Sequence, residues 1–202
     1  MKEHPILFNS EMVRAILDGR KTQTRRVVKG NKNPVDDMLN GLIEFDGEKA
    51  IFAHQTHADN YTTQSIKCPF GKVGDRLWVR ETWRQPEDFE GYDRGTVLYA
   101  ASEMDAGAKW KPSIHMPRYA SRITLEITDI RVEKVQDINE ENCLKEGIEK
   151  YFDDGVYYYG EYDKGHCDYK HVFKTLWDSI NKKHTWESNP YVWVIEFRRL
   201  EK

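Results

Sequence analysis

The sequence predicts an α+β fold, a small, mostly antiparallel β-barrel decorated with about three helices. Two observations predict this class. Residues 121–135 and 191–200 alternate β-branched or aromatic residues with polar ones, which is typical of long strands. Three other segments carry apolar residues at helical spacing. A handful of strands with three helices between them favours a compact barrel rather than a helical bundle.

The shorter elements follow from local signals. A Gly-Asp turn at Gly74 starts a strand that runs to Trp83, and residues 96–101 predict another strand. A first helix over residues 10–19 can be capped by Asn9 or Ser10 and end at a left-handed Gly19.

Two further helices are predicted in the second half of the chain. The spacing of Asp137 and Glu140 resembles a capping box, so a compact helix is expected from there to Gly147. The apolar spacing over residues 169–181 predicts the third helix, whose aromatic residues are expected in the core.

Composition indicates one folded domain. The 202 residues are 39% hydrophobic and 12% aromatic, which is too apolar for a disordered chain. We expect residues 1–202 to form a single domain with polar insertions at about 29–66 and 151–168. The sequence contains no run of about 18 apolar residues and no secretion signal, so we expect a cytoplasmic protein with no membrane contact.

No metal or cofactor is expected. His54 and His57 have zinc-like spacing, with Cys68 and the pair His166 and Cys167 further on, but surface histidines on a loop are the favoured interpretation. Three cysteines without a CxxC pair predict reduced thiols. Glycine patterns for ATP or dinucleotides are absent from the sequence.

A local cluster of positive charge stands out against a net charge of −3. Between positions 14 and 32 the only acid is Asp18, whereas the basic residues are Arg14, Arg20, Lys21, Arg25, Arg26, Lys29 and Lys32. The overall charge excludes a protein that is basic over its whole surface, and the cluster suits a few phosphates or one nucleotide. A solvated basic face is the alternative.

Gly19, Lys21 and Arg26 form a G-x-K-x-x-x-x-R pattern that resembles the signature of the ASCH (activating signal cointegrator homology) domain, a member of the PUA-like β-barrel superfamily. The flanks are similar too: a short helix before the pattern, the strand "VGDRLWV", the acidic helix "DINEENCLKEGI" and the closing strand "NPYVWVIEF". The chain also resembles longer ASCH-type proteins of phages and prophages.

This resemblance implies a cleft that accepts RNA or a nucleoside. One small bacterial relative is an amidohydrolase that deacetylates N4-acetylcytidine with a lysine and a threonine of the pattern and a glutamate of the acidic helix. Those positions fall on Lys21, Thr24 and Glu146. The partner implied is therefore a modified nucleoside or RNA.

The implied roles are chemically coherent. The Thr24 hydroxyl would be the nucleophile, and Lys21 its base if neighbouring cations lower the lysine pKa, which the dipole of the preceding helix opposes. Glu146, at the end of its helix, would donate a proton to the leaving amine. Because residues 21 and 24 point to opposite faces of a regular strand, the chain must turn or bulge between them.

Six residues are expected to contact the substrate, and they are Arg20, Arg25, Arg26, Arg80, Glu81 and Tyr119. For Arg80 and Glu81 an internal ion pair is favoured over chemistry. Tyr119 lies in a cationic, aromatic turn that fits nucleic acid, and packing at the rim of the cleft is equally compatible.

Three functions follow as hypotheses. The first is an amidohydrolase that acts on N4-acylated cytidine or a related nucleoside. The second is an RNA-binding module without catalysis. The third is a phage accessory protein that binds another protein through its aromatic insertions.

Overall fold

The structure, a computed structural model, describes residues 1–29, 41–57, 60–86, 93, 95–103, 109–161 and 165–201, with residues 54–57, 60 and 61 described in their backbone alone. Its fold is α+β with mostly antiparallel strands, as the sequence predicts. In chain order the elements are β1 (Glu3–Leu7), α1 (Ser10–Leu17), β2 (Gln23–Val27), β3 (Gly41–Phe45), β4 (Lys49–His57), β5 (Asn60–Lys67), β6 (Arg76–Arg80), β7 (Trp83–Arg84), β8 (Leu98–Tyr99), β9 (Thr124–Lys134), α2 (Glu140–Lys145), β10 (Lys150–Asp153), β11 (Val156–Tyr159), α3 (Tyr169–Ile180) and β12 (Tyr191–Leu200).

A five-stranded sheet in the order β1-β6-β9-β12-β2 forms the centre of the molecule. Its pairs are antiparallel except for β1 with β6. The centre of the sheet is the pair formed by β9 and β12, the two strands with the longest β-branched alternation. This register places β2 at one edge of the sheet, paired with β12 through Thr24 and Ile195.

Two of the three helices begin where the sequence predicts. The Asn9 side chain accepts a hydrogen bond from the Met12 backbone N–H and so caps α1, and Gly19 follows with φ of 76°. The predicted capping-box start of the second helix is wrong: α2 is capped by Asn139, whose side chain accepts from the Asn142 N–H. The third helix, α3, agrees with its prediction within a residue.

The predicted insertion at 29–66 contributes most of a three-stranded sheet, β3-β4-β5. This sheet buries Phe52 in the main core, where its ring lies 5.1 Å from the ring of Tyr191 on β12. The expected barrel is not closed in the described part of the chain, because this sheet packs against the five-stranded sheet without pairing with its edge strand β2. The second predicted insertion, 151–168, contains most of the β10–β11 hairpin, which exposes Phe152 and Tyr157.

Among the described residues, no helix has the length and apolar character needed to cross a membrane.

Candidate active site

The candidate site lies where the end of α2 meets the chain between α1 and β2. Lys21 and Glu146 form an isolated antiparallel bridge, and the Thr22 N–H donates to the Lys145 carbonyl oxygen at 2.9 Å. The Lys21 N–H donates to the Ala15 carbonyl oxygen, also at 2.9 Å. Lys21 therefore pairs with Glu146, whereas the β2 ladder with β12 begins at Gln23.

The Lys21 ammonium is fully enclosed by this junction. Its Nζ donates to the backbone carbonyl oxygen of Glu146 at 2.7 Å and to the Oε2 of the same residue at 2.8 Å. Lys21 is 2% exposed and Glu146 is 7% exposed. Removing both charges from water is costly, and the close pairing offsets that cost.

A second cation holds the other carboxylate oxygen. The Arg25 Nη1 donates to Glu146 Oε1 at 3.1 Å, and its Nη2 donates to Glu133 Oε2 at 3.1 Å. The Arg25 guanidinium also lies 5.8 Å from the centre of the Phe173 ring of α3. Glu146 is thus clamped between two cations, one at each carboxylate oxygen.

The contacts of Glu146 favour a different role from the one that the resemblance implies. We expected a proton donor to the leaving amine, but both carboxylate oxygens accept hydrogen bonds from cations. These contacts favour a role for Glu146 in positioning Lys21 and Arg25.

Burial lowers the pKa of Lys21. Glu146 opposes this shift through its charge and its hydrogen bond, while the nearby Arg26 and Arg25 guanidiniums add to it. The net shift brings the lysine closer to the neutral amine that a general base requires.

Thr24 and Glu146 line one cleft of about 820 Å³, which runs between β2, the end of β5 and the C-terminal part of α3. Thr24 and Arg26 lie two residues apart on β2 and therefore share a face. The Arg26 guanidinium and the Lys21 Nζ both lie near the Phe8 ring, at 5.1 and 5.8 Å from its centre. Lys21 itself is buried and is not among the described residues that line the cleft; it is connected to the cleft wall through its contact with Glu146.

Arg25 and Arg26 line this cleft, whereas the other predicted substrate-binding residues do not. Arg20 lines a second cavity of about 640 Å³ on another side of Glu146 and donates to the Gly147 carbonyl oxygen and to Asp18.

Arg80, Glu81 and Tyr119 lie away from the residues that line either cavity. Arg80 donates to the Ile114 carbonyl oxygen, and Glu81, 1% exposed, accepts two hydrogen bonds of 2.9 Å from Arg122. Glu81 therefore forms an internal ion pair, as expected, but its partner is Arg122, whereas Arg80 donates to a backbone carbonyl oxygen. Tyr119 is 72% exposed.

Several residues of the cleft were missed as site candidates from the sequence. They are Lys67, Phe70, Phe173, Trp177, Lys182, Lys183, His184 and Trp193. The run Lys182, Lys183 and His184 directly after a predicted helix was a usable signal. The aromatic residues gave none, because core packing explains the same pattern.

The histidine spacing that could suggest zinc lies partly outside the described side chains, since His54 and His57 are described in their backbone alone. Of the other candidate ligands, Cys68 is buried and Cys167 is exposed. No group of three metal-ligating side chains occurs among the residues whose side chains are described.

Comparisons with protein-family models, with curated proteins and with solved structures give no match for this chain.

Proposed function

We propose that the protein is an amidohydrolase that removes an acyl group from an N4-acylated cytidine or a related modified nucleoside. The observation that carries the proposal is the buried contact between Lys21 and Glu146, because Glu146 lines the same cleft as Thr24. The similarity to ASCH domains of the PUA-like superfamily, including phage-type members, supports the same assignment. The cleft volume of about 820 Å³ lies within the usual range for small-molecule sites of about 300–1,000 Å³.

The chemistry follows from the residues present. Neutral Lys21 takes the proton of the Thr24 hydroxyl group while the Thr24 Oγ attacks the carbonyl carbon of the acyl group. Arg26 stabilises the oxyanion that forms. The intermediate collapses, the C–N bond breaks, and the leaving amine receives the proton from Lys21. Water then hydrolyses the Thr24 ester, with Lys21 again holding the proton in transit. Glu146 and Arg25 keep the lysine in place throughout.

A second candidate is an RNA- or nucleoside-binding module without catalysis. The burial of Lys21 and the saturation of Glu146 by two cations favour it, because a purely structural clamp would have the same contacts. Both candidates use the same cleft.

Incubation of the purified protein with N4-acetylcytidine separates the two candidates. The amidohydrolase releases cytidine and acetate in equal amounts, and the Lys21→Met variant does not. Lys145→Met is a matched control, since Lys145 is a half-exposed lysine that pairs with Glu141 on α2. If the protein binds a panel of acylated cytidines and releases no acyl group from any of them, the binding module is the remaining candidate.

A further inference from the structure

We infer that the ligand of the cleft is a phosphorylated nucleoside, with its base at the floor of the cleft beside Thr24 and its phosphate at a lysine rim formed by Lys29, Lys182 and Lys183. The inference rests on the proposed function, because it concerns the same cleft and names the class of substrate.

The cleft is far more basic than the chain as a whole. Among the described residues that line it, Glu146 is the one acid, whereas the cations are Arg25, Arg26, Lys29, Lys67, Lys182 and Lys183. The whole chain has 31 basic and 34 acidic residues, so this excess is local. The neighbouring cavity has the opposite balance, with Arg14 and Arg20 against Glu11, Glu146, Glu149 and Glu161. An anion is therefore favoured in the first cavity only.

The cations differ in whether their charge is already used. Arg25 is bound to two carboxylates, Arg26 donates to the Leu7 carbonyl oxygen at 2.6 Å, and Lys67 pairs with Glu48. Lys29 and Lys183 have no polar partner among the described residues.

The third lysine of the rim caps a helix. Lys182 donates to the Asp178 carbonyl oxygen at 3.0 Å and so offsets the negative end of the α3 dipole. The exposed rim thus keeps positive charge available for a ligand.

The floor of the cleft has a different character. Thr24, Phe173, Trp177 and Trp193 are buried there, and the Glu146 carboxylate is already bound by Lys21 and Arg25. Burying a phosphate among these aromatic rings would be costly. A neutral pyrimidine suits the floor, which orients the ligand with its phosphate toward the lysine rim.

Binding of unacylated ligands tests the inference separately from hydrolysis. Cytidine, cytidine 5′-monophosphate, cytidine 3′-monophosphate and a cytidine-containing tetranucleotide are titrated by calorimetry at two salt concentrations. We expect at least one phosphorylated ligand to bind about tenfold more tightly than cytidine at low salt, with an advantage that shrinks at high salt.

Variants assign the effect to the rim. Lys182→Ala with Lys183→Ala, and separately Lys29→Ala, should each remove most of the advantage of the phosphorylated ligand and leave cytidine binding within twofold. Lys174→Ala is the control, because Lys174 lies on α3 outside the cleft and pairs with Glu187. Tighter binding of the tetranucleotide than of either monophosphate would identify a nucleic-acid strand as the source of the phosphate, and equal binding would identify a mononucleotide.

The inference is overturned if cytidine binds as tightly as every phosphorylated ligand, if none of the ligands binds, or if the rim variants leave the phosphate advantage intact. Failure of the proposed function looks different: the phosphate advantage and its dependence on the rim persist, while no acylated cytidine is hydrolysed.

Discussion

The Lys21 Nζ lies 2.8 Å from the Glu146 Oε2, and this buried ion pair joins residues 125 positions apart in the chain. It fixes the end of α2 against the start of β2, the edge strand of the central sheet. Because each charge is unable to reach water, each depends on the other for its solvation. The same contact therefore serves the fold and the candidate site.

Replacing Glu146 by Gln tests the structural part of this relationship. The change keeps the shape but leaves the ammonium of Lys21 and the guanidinium of Arg25 without their shared anion. We expect the free energy of unfolding to fall by about 3–5 kcal/mol, as for other broken buried pairs. Urea denaturation measures it.

Glu141→Gln is the matched control, since Glu141 lies on the same helix, is exposed and pairs with Lys145. Its stability should equal that of the wild type. Equal stability of the Glu146→Gln variant would show that the clamp contributes nothing to the fold.

The lowered pKa of Lys21 predicts how stability depends on pH. Below both the lowered pKa of the folded chain and the ordinary pKa of the unfolded chain, both states hold the proton. As pH rises through the lowered pKa, the folded chain loses its proton while the unfolded chain keeps it until near 10.5. The unfolded state then binds more protons, so the free energy of unfolding rises with pH.

The measurement compares the wild type with Lys21→Met by urea denaturation between pH 7 and pH 10.5. Other titrating groups contribute equally to both proteins, so their effects cancel in the difference. We expect the wild type to gain stability relative to the variant as pH increases. A constant or falling difference would contradict the lowered pKa.

The backbone at Gly147, directly after Glu146, leaves little room for a side chain. Gly147 has φ of 96°, and a Cβ placed there would lie 3.0 Å from the Ala15 Cβ and 3.1 Å from the Lys21 Cβ. Gly147→Ala should therefore destabilise the protein by more than the backbone cost of about 1–2 kcal/mol that a residue with a Cβ has in the left-handed region, and it should reduce hydrolysis by displacing Lys21. Thermal unfolding and turnover measure both effects.

Gly155 offers the matched comparison. It has φ of 81° in the β10–β11 turn and open space around the added Cβ, so Gly155→Ala carries the backbone strain without the clash. Turnover should be unchanged in this variant. If Gly147→Ala and Gly155→Ala have equal effects on turnover, then the clash between the added Cβ at position 147 and Lys21 does not affect hydrolysis.

Variants of Glu81 and Tyr119 test whether the binding site extends beyond the cleft. The buried ion pair between Glu81 and Arg122 predicts a loss of about 3–5 kcal/mol for Glu81→Gln and no change in the affinity of the cleft for cytidine. Tyr119→Ala should change neither stability nor affinity, because its side chain is exposed away from the cleft. A weaker cytidine affinity in either folded variant would extend the site to this side of the molecule.

Local signals predicted much of the fold. Asn9 and Gly19 defined α1 because capping and left-handed geometry are set by neighbours in the chain. The start of α2 was missed since Asp137 and Asn139 are both good caps, and the backbone decides between them.

The unclosed barrel could not be foreseen, because strand patterns do not say which edges pair. Its edge strand β2 borders the cleft.

The candidate site was predictable only in part. The signature residues Lys21 and Thr24 and the helix that carries Glu146 could be found in the sequence. The clamp by Arg25 depends on the register of β2 against β12, strands separated by more than 160 residues, so no local pattern reports it. The same holds for the lysine rim, which gathers the chain after β2 and the chain after α3.

The most direct test of the catalytic assignment is the kcat/KM for N4-acetylcytidine in Lys21→Met, Thr24→Val, Glu146→Gln and the triple variant. When residues act as one catalytic unit, replacing any one of them removes most of the activity, so the losses of the single variants do not add up in the multiple variant. We predict that each single variant loses at least about a hundredfold and that the triple variant is little worse than the Lys21→Met variant. Full activity of the folded Thr24→Val variant, or no hydrolysis by the wild type, would contradict the account.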